Sequence, residues 1–302
     1  MKHYNESFGI RPGAEEFPLM VVLSYVYACN SRCPNCPYNN STIRSQHKGN
    51  AYMPTRTFRT IAEQAGKYGA FLRLSGGGEP LLHEDIHKHV NFAKAQGCKV
   101  GIITNGSKDV SKLVNLADVL EFSVDAGTKE EYEKVRPGLD WDYLNENVRD
   151  ALLRRRDTKI IVSIINQKGV DVEQAEKYWG CADVVQVRKY LTWGYNENNS
   201  ADDAPYLPPE KNLPCPWLFE RLAIDTTGEV SYCNADIAFK NSFANVSKRT
   251  IKEIWTGPEF TEIREKHLAR EGHKMKMCAE CADWKYRSWN HNYWKILKKA
   301  ES

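Results

Sequence analysis

The fold is decided by residues 20–36, which read MVVLSYVYACNSRCPNC. The first eight of these residues are almost all apolar, aromatic or β-branched, a pattern typical of a buried strand. The strand runs directly into a loop with three cysteines, Cys29, Cys33 and Cys36. Ligand contacts in parallel α/β proteins gather at the carboxyl ends of the strands, so this loop is the first candidate site.

Strands and helices alternate after this loop. Five more strands are predicted, at 71–75, 99–103, 119–124, 159–165 and 183–188. Helices are predicted between the strands at 55–68, 84–95, 110–116, 129–135, 141–155 and 172–179. Six βα units in series predict a parallel sheet with right-handed crossovers, and we assign residues 1–194 to this first domain.

The pattern changes after residue 194. Residues 195–212 are rich in Asn, Asp and Pro, which predicts a linker. Residues 213–302 form the second predicted domain, with a β-hairpin whose strands, 222–225 and 229–232, flank a Thr-Thr-Gly turn. Helices are predicted in this domain at 251–255, 260–267 and 284–299.

The amino-acid composition is that of a folded protein with little net charge. The 302 residues include 42 Lys and Arg against 39 Asp and Glu, which leaves +3 and argues against a nucleic-acid partner. No secretory signal and no apolar run of membrane-spanning length is present, so we expect a cytoplasmic protein. Nine cysteines in a reducing compartment indicate metal or cluster ligation rather than disulfides.

The first cysteine group has the composition of an incomplete cluster site. Thiolates are the ligands of iron-sulfur clusters, and a cubane has four iron corners, so three thiolates leave one iron open to a substrate or cofactor. The alternative is a structural zinc site, whose usual CxxC pair is completed by a second pair nearby. No fourth ligand lies close in the sequence, which favours the cluster.

The loop from Cys29 to Cys36, placed directly after a strand, resembles the signature of the radical S-adenosylmethionine (SAM) superfamily. The resemblance implies a (β/α)6 partial TIM barrel, a 4Fe-4S cluster whose open iron binds SAM, and cleavage of SAM to a 5'-deoxyadenosyl radical. It also implies an electron donor such as flavodoxin or ferredoxin. Asn35 departs from the family habit of an aromatic residue just before the last cysteine.

A second motif supports this resemblance. Residues 75–80 read SGGGEP at the end of the second predicted strand and resemble the GGE motif of the family. Glycines without Cβ let the backbone approach a ligand closely, and the carbonyl groups there can receive the ammonium of SAM. The resemblance and the strand-end placement together give the candidate cofactor-binding residues Gly76, Gly77, Gly78, Glu79, Asn105, Ser123, Asp125, Arg136 and Ser163.

The second predicted domain holds four more thiols, Cys215, Cys233, Cys278 and Cys281. Four thiolates complete the ligand set of a closed 4Fe-4S site. They also satisfy tetrahedral zinc, so a structural zinc site is the alternative here.

The sequence around these four thiols resembles the twitch or SPASM module of the same superfamily. PCPW at 214–217 and IKEIW at 251–255 carry part of the likeness. A complete SPASM module has seven cysteines, but Arg287 stands where another is usual, so the resemblance implies a small α+β domain with a single auxiliary cluster. The remaining thiols, Cys98 and Cys181, are each predicted to be buried and structural.

The two cysteine groups together predict an oxidoreductase. A cluster with a full ligand set can accept an electron from a carbon radical, which favours a radical dehydrogenase acting on a hydroxylated small molecule such as a sugar or aminocyclitol. One alternative is a peptide maturase that makes thioether, carbon-carbon or epimerised products. Another is a non-catalytic, metal-stabilised binding protein. No catalytic residue is assigned, and Arg188, Lys189 and Tyr190 at the end of the sixth strand are the candidates for the proton acceptor.

Overall fold

The residues that the structure describes form one nine-stranded sheet. The computed structural model describes residues 13–39, 43, 45, 49–190, 214–279 and 281. The strands are β1 (Met20–Val26), β2 (Phe71–Gly77), β3 (Lys99–Thr104), β4 (Val119–Ser123), β5 (Lys159–Asn166), β6 (Val184–Lys189), β7 (Arg221–Ile224), β8 (Glu229–Ser231) and β9 (Ala244–Asn245). Their order across the sheet is β6-β5-β4-β3-β2-β1-β7-β8-β9.

Helices connect the parallel strands and complete the second half of the chain. Within the described residues the α-helices are α1 (Thr55–Gly66), α2 (Ile86–Ala95), α3 (Lys129–Val135), α4 (Trp141–Arg154), α5 (Val172–Tyr178), α6 (Ile251–Trp255), α7 (Pro258–Leu268) and α8 (Lys276–Ala279). Short 3-10 helices span Pro37–Asn39, Pro80–Leu82, Pro216–Phe219 and Gly272–Lys274.

Side-chain caps fix several of the helix starts. The side chains of Thr128, Asp140 and Asp171 accept backbone N–H groups in the first turns of α3, α4 and α5. Thr250 and Glu253 form a reciprocal capping box at the start of α6. Each cap satisfies backbone donors that have no partner inside the helix, which stabilises the helix end by about 1 kcal/mol.

The first six strands place both sequence motifs at one edge of the sheet. Strands β1 to β6 all pair in parallel. Strand β1 lies between β2 and β7, and all seven of its residues are buried, which explains its nearly continuous apolar sequence. Since Val26 pairs with Gly77, the cysteine loop after β1 and the glycines that end β2 emerge side by side.

The six predicted parallel strands and the parallel α/β fold class are confirmed. The helix predicted at 110–116 is wrong, because the described structure has hydrogen-bonded turns there instead. Asn115 adopts a left-handed conformation with φ 67°, and its N–H donates to Thr158 Oγ1 at 2.7 Å rather than to a helical carbonyl. This tertiary contact takes the place of the helical hydrogen bond that the last turn of the predicted helix would need.

The C-terminal hairpin is confirmed, but its place in the fold was missed. Strands β7 and β8 pair antiparallel around a turn in which Gly228 has φ +87°. Strand β7 also pairs in parallel with β1, from Met20 opposite Arg221 to Leu23 opposite Ile224. The second half of the chain therefore extends the same sheet, and its apolar residues share one core with the barrel strands.

Two sequence predictions fall outside the described residues. These are the linker at 195–212 and the aromatic helix at 284–299. The domain boundary between the two halves stays a prediction. Among the helices that are described, none combines the length and the apolar character that crossing a bilayer requires.

Candidate functional site

The three cysteines of the first loop line one cavity at the carboxyl edge of the sheet, with a volume of about 250 Å³. The loop is folded by a hydrogen bond from the Cys36 N–H to the Cys33 carbonyl at 3.1 Å. Ser31 lies among the sulfurs, with its N–H 3.5 Å from Cys29 Sγ and its hydroxyl 3.0 Å from Cys33 Sγ. The hydroxyl is also 3.2 Å from the Pro137 carbonyl, which ties the loop to the segment after α3.

The thiols of this loop are buried, and burial affects their ionisation. Burial raises the pKa of the Cys29 thiol, and it raises the pKa of Cys36 to about 12. A thiolate is therefore disfavoured in this cavity unless positive charge is bound beside it. Iron bound to the sulfurs would supply that charge, and the three cysteines that line this cavity have the number and type of the incomplete ligand set that the sequence indicates.

The glycines at the end of β2 form a tight cradle in the same cavity. Gly76, Gly77 and Gly78 all line the cavity. Gly77 has φ +84°, and a Cβ there would overlap the carbonyl oxygen of Val26. A Cβ on Gly78 would lie 2.6 Å from the carbonyl carbon of Ala28. The β1 backbone therefore excludes any side chain at these two positions, which leaves their backbone exposed to the cavity.

Glu79 follows the cradle and is turned toward the protein. The residue is 2% exposed. Its carboxylate accepts hydrogen bonds from Thr104 Oγ1 at 2.8 Å, the Asn105 N–H at 2.7 Å and the Leu81 N–H at 3.0 Å. Burial raises the pKa of this carboxyl group. Glu79 thus joins the ends of β2 and β3, and Asn105 in turn donates to the side chain of Asn30 at 3.0 Å.

An ion pair lies on the β4 side of the cavity. Arg136 Nη2 is 2.6 Å from Asp125 Oδ2, and Arg136 Nε donates to the Val124 carbonyl at 3.1 Å. The other oxygen of Asp125 accepts the Ile165 N–H at 2.8 Å. Both charged side chains are largely buried and both line the cavity. Arg136 therefore has a protein partner in this structure, and its pairing with a cofactor carboxylate stays a prediction.

The structure brings most of the predicted cofactor residues together. Ser123 lines the cavity, and Ser163 is its neighbour in the next strand, buried and in register with it. Sequence reasoning missed two amide side chains on the wall, Asn35 and Gln167, which are joined by a hydrogen bond of 2.5 Å from Asn35 Nδ2 to Gln167 Oε1. Gln167 directly follows β5, so the strand-end rule would have found it.

Tyr27 and Tyr38 are further residues of the wall that the sequence did not single out. Their rings pack edge to face with centroids 6.1 Å apart. The Tyr27 hydroxyl also donates to the carbonyl of Ile237, in the second half of the chain, at 3.4 Å. The cavity is therefore in contact with the segment that follows Cys233.

The candidates for a proton acceptor do not line this cavity in the described residues. Arg188 Nη2 donates to Glu121 Oε1 at 2.7 Å and to Gln186 Oε1 at 2.9 Å. Tyr190 is buried, and the side chain of Lys189 lies outside the described residues. The assignment of a base to this group stays a prediction.

Helix α7 joins two cysteines of the second group. Cys215 begins the 3-10 helix Pro216–Phe219, Cys278 lies in α8, and both are buried. His267 of α7 contacts both, since the Cys215 N–H donates to its Nδ1 at 3.3 Å and Cys278 Sγ lies 3.3 Å from its Nε2. The Cys281 N–H donates to the Cys278 carbonyl at 3.1 Å, which folds the CxxC pair into a turn.

Cys233 follows β8 in the same module. Its sulfur accepts the Ala235 N–H at 3.3 Å, a contact of the kind that stabilises a thiolate. The preceding Tyr232 packs edge to face on Phe260 of α7, with centroids 5.2 Å apart. Across the described residues, no three His, Cys, Asp or Glu side chains converge closely enough to hold a single metal ion.

The two remaining cysteines have different environments. Cys98 is buried, and its thiol donates to the Ala62 carbonyl at 3.4 Å, as predicted for a structural residue. Cys181 is exposed, so the prediction that it is buried is wrong. It lies in the turn between α5 and β6, and β6 is an edge strand of the described sheet with no further strand to cover it.

Two protein families match this chain. Residues 23–178, just over half of the chain, match the radical SAM superfamily. Residues 215–282 match an iron-sulfur cluster-binding domain, the SPASM domain. The first match contains Cys29, Cys33 and Cys36, and the second begins at Cys215.

Among curated proteins, the chain is similar to PqqA peptide cyclases. It is 33% identical over 91 residues to the cyclase of Xanthomonas campestris pv. campestris (strain B100), and 32% identical over 91 residues to that of Xanthomonas oryzae pv. oryzae (strain MAFF 311018). Each match covers 30% of this chain and 23% of the cyclase. The chain thus matches less than a quarter of the length of these relatives.

Among solved structures, the fold is similar to three SAM-bound proteins. Streptococcus suis SuiB bound to S-adenosylmethionine has a TM-score of 0.67 at 17% identity, covering 94% of this chain and 75% of SuiB. For anSMEcpe with bound AdoMet the TM-score is 0.66 at 16% identity, covering 93% and 95%. For BtrN in complex with AdoMet and 2-DOIA it is 0.58 at 18% identity, covering 88% and 94%. These identities establish likeness of fold.

Proposed function

Since the chain belongs to the radical SAM superfamily and carries a SPASM domain, we propose that it is a radical dehydrogenase of a hydroxylated small molecule, such as a sugar or aminocyclitol. Its cofactors are 4Fe-4S clusters and S-adenosylmethionine. The fold is a partial TIM barrel joined to an iron-sulfur domain. The proposed reaction converts a carbinol of the substrate into a carbonyl.

The residues of the first cavity are suited to hold the SAM-binding cluster and SAM. Cys29, Cys33 and Cys36 are the proposed cluster ligands, because all three residues line the cavity. The carbonyl groups of residues 76–78 are the proposed acceptors for the SAM ammonium, because no side chain fits at positions 77 and 78. When bound, these groups would supply a 5'-deoxyadenosyl radical able to take one hydrogen atom from a substrate carbon; the remaining electron would pass to the auxiliary cluster, and the hydroxyl proton to a base or to water.

The observation that carries the oxidative reaction is the contact between Tyr27 and Ile237. Tyr27 lines the cofactor cavity, and its hydroxyl donates to the Ile237 carbonyl at 3.4 Å. Ile237 is only four residues beyond Cys233. The Cα atoms of Cys233 and Ile237 therefore lie within roughly 14 Å of each other, even if the chain between them is extended. We propose Cys215, Cys233, Cys278 and Cys281 as ligands of one auxiliary cluster. A full set of four thiolates suits a cluster that accepts the electron rather than one that binds substrate, and the contact with Ile237 brings the segment after Cys233 to the cavity.

A peptide substrate is the second candidate. It is favoured by the similarity of 91 residues to PqqA peptide cyclases and by the likeness of fold to SuiB, which has been crystallised with its precursor peptide SuiA. A peptide maturase would use the same first cavity and the same cofactors. The two candidates differ in the substrate and in whether the product is oxidised at a carbinol.

The reductant and the cellular location are also proposals. A one-electron donor such as flavodoxin or ferredoxin would reduce the first cluster, and the cytoplasm is the compartment in which such donors and free thiols coexist. The near-neutral net charge of +3 supports a small-molecule or peptide substrate rather than nucleic acid.

The test uses the full chain, reconstituted with iron and sulfide without oxygen, reduced, and supplied with SAM. Candidate sugars and aminocyclitols deuterated at the carbinol carbon are compared with candidate precursor peptides. The proposal expects one deuterium in 5'-deoxyadenosine and a product that is lighter than the labelled substrate by one deuterium and one hydrogen. A product of unchanged mass, or turnover with peptides alone, would reject the dehydrogenase.

Cysteine variants separate the two proposed clusters in the same assay. Cys36→Ala is expected to abolish 5'-deoxyadenosine formation, because it removes a ligand of the SAM-binding cluster. Cys278→Ala is expected to keep SAM cleavage but to lose the oxidised product. Cys181→Ala is the matched control, since this thiol is exposed and distant in sequence from both groups.

A further inference from the structure

His267 occupies a defined place between two of the auxiliary cysteines. The residue lies near the end of α7 and is 1% exposed. Its Nδ1 is 3.3 Å from the backbone nitrogen of Cys215, and its Nε2 is 3.3 Å from Cys278 Sγ. One imidazole ring thus contacts residues that are 63 positions apart in the sequence, on two different elements of the module.

The contacts decide which nitrogen of the ring carries the proton. A backbone N–H can only donate, so Nδ1 must accept from Cys215 and cannot itself be protonated. A neutral imidazole has one N–H, which therefore lies on Nε2. Nε2 points at the sulfur of Cys278, so the protein presents an N–H donor to that sulfur.

The ring is also held in place by the backbone of the following loop. Gly272 begins the 3-10 helix Gly272–Lys274, and a Cβ at this position would lie 2.7 Å from Cε1 and 2.9 Å from Nε2 of His267. Only glycine leaves room for the ring there. The loop between α7 and the CxxC pair is therefore shaped around this imidazole.

We propose that His267 is a positioning residue that raises the reduction potential of the auxiliary cluster through a hydrogen bond from Nε2 to the sulfur of Cys278. The proposal rests on the proposed function, because it requires Cys278 to be a cluster ligand. Reduction places additional negative charge on the sulfurs, and an N–H donor stabilises that charge more in the reduced than in the oxidised form. A higher potential makes the cluster a better acceptor for the electron left on the substrate.

The test is an EPR-monitored redox titration of the full chain carrying Cys29→Ala, Cys33→Ala and Cys36→Ala, so that only the auxiliary cluster reports. His267→Phe keeps an aromatic ring but removes both nitrogens, and a lower midpoint potential is expected. His267→Gln retains an amide N–H at the reach of Nε2, and a potential close to that of the parent is expected. His273→Phe is the matched control, because His273 is exposed on the same loop.

Gly272→Ala provides an independent variant that displaces the ring without removing it. It is expected to lower the potential in the same direction as His267→Phe. If the His267→Phe variant loses the auxiliary cluster while the His267→Gln variant retains it, this outcome also supports a hydrogen bond from residue 267 to Cys278. Equal potentials in the parent and in His267→Phe, or loss of the cluster from both His267 variants, would overturn the proposal. A parent protein with no iron in the second site would instead reject the auxiliary cluster itself.

Discussion

The glycine cradle at the end of β2 can be tested against a glycine of the same backbone conformation. Gly77 has φ +84° and Gly169 has φ +85°. A Cβ on Gly77 would overlap the carbonyl oxygen of Val26 and lie 3.0 Å from the ring of Tyr27. A Cβ on Gly169 would have no heavy atom within 4 Å. Gly77→Ala and Gly169→Ala therefore share the backbone strain and differ in the steric clash.

The expected losses of unfolding free energy follow from the backbone strain and the steric clash. The left-handed conformation costs an alanine about 1–2 kcal/mol in both variants. The reduced freedom of the unfolded chain offsets about 0.4–1 kcal/mol of that cost. Gly77→Ala adds overpacking against β1 of about 1–3 kcal/mol, because the Val26 carbonyl belongs to a central strand and cannot move independently. We expect Gly169→Ala to lose about 1 kcal/mol of unfolding free energy and Gly77→Ala to lose about 2–4 kcal/mol.

The assay combines urea denaturation with a SAM binding measurement on reconstituted protein. Gly77→Ala is expected to weaken SAM binding, because relief of the clash moves the β2 end away from the cavity. Gly169→Ala is expected to bind SAM like the parent protein. If both variants bound SAM equally well, residues 76–78 would not form the cofactor cradle, whatever their effect on stability.

Three further outcomes are expected. Asp125→Asn should lower the unfolding free energy by about 3–5 kcal/mol and weaken SAM binding, because it leaves the buried guanidinium of Arg136 without its counter-charge. The control is Asp142→Asn at an exposed position, which should have little effect on the unfolding free energy measured by urea denaturation. Burial lowers the pKa of His89 from 6.5 to about 4, so the unfolded chain binds the extra proton in this interval and the unfolding free energy should fall as pH drops from 6.5 to 4. His89→Gln should reduce that dependence in denaturation series at several pH values, and an unchanged slope would contradict the assignment. Part of the dependence should remain, because burial also lowers the pKa of His267 to about 4. Cys281→Ala should lose about four irons per chain in iron and sulfide analysis, and stoichiometric zinc in the parent protein would contradict the auxiliary cluster.

Local patterns predicted the parts of the molecule that depend on neighbours in sequence. Strand β1 is recognisable because it is buried on both faces and therefore reads as an apolar run. The cysteines of its loop are recognisable as candidate ligands because cluster ligation requires thiols at short spacing. The helix predicted at 110–116 failed because its last turn depends on a distant partner, the hydroxyl of Thr158, that no local pattern contains.

The hydrogen-bond and ion-pair partners of the side chains could not be predicted from the motifs. The GGE pattern identified Glu79 as a site residue, but its carboxylate bonds to Thr104 and Asn105 at the end of the neighbouring strand. Arg136 was expected to face a cofactor carboxylate, and the structure gives it Asp125 as a partner. In both cases the motif correctly predicted that the residue lies at the cavity. The partner of its side chain was not predicted, because it depends on how adjacent parallel strands are aligned.

The relation between the two cysteine groups depends on strand pairing that neither motif encodes. Strand β7 is four residues long and could pair with either edge of the six-stranded sheet. Its pairing with β1 brings the hairpin, and with it the segment from Cys233 to Ile237, to the side of the cavity formed by Tyr27. Had β7 paired with β6 instead, the same cysteines would lie across the sheet from the first loop. The proposed electron transfer therefore follows from the register between residues 20–23 and 221–224, and Tyr27 is the residue at which that register reaches the cofactor cavity.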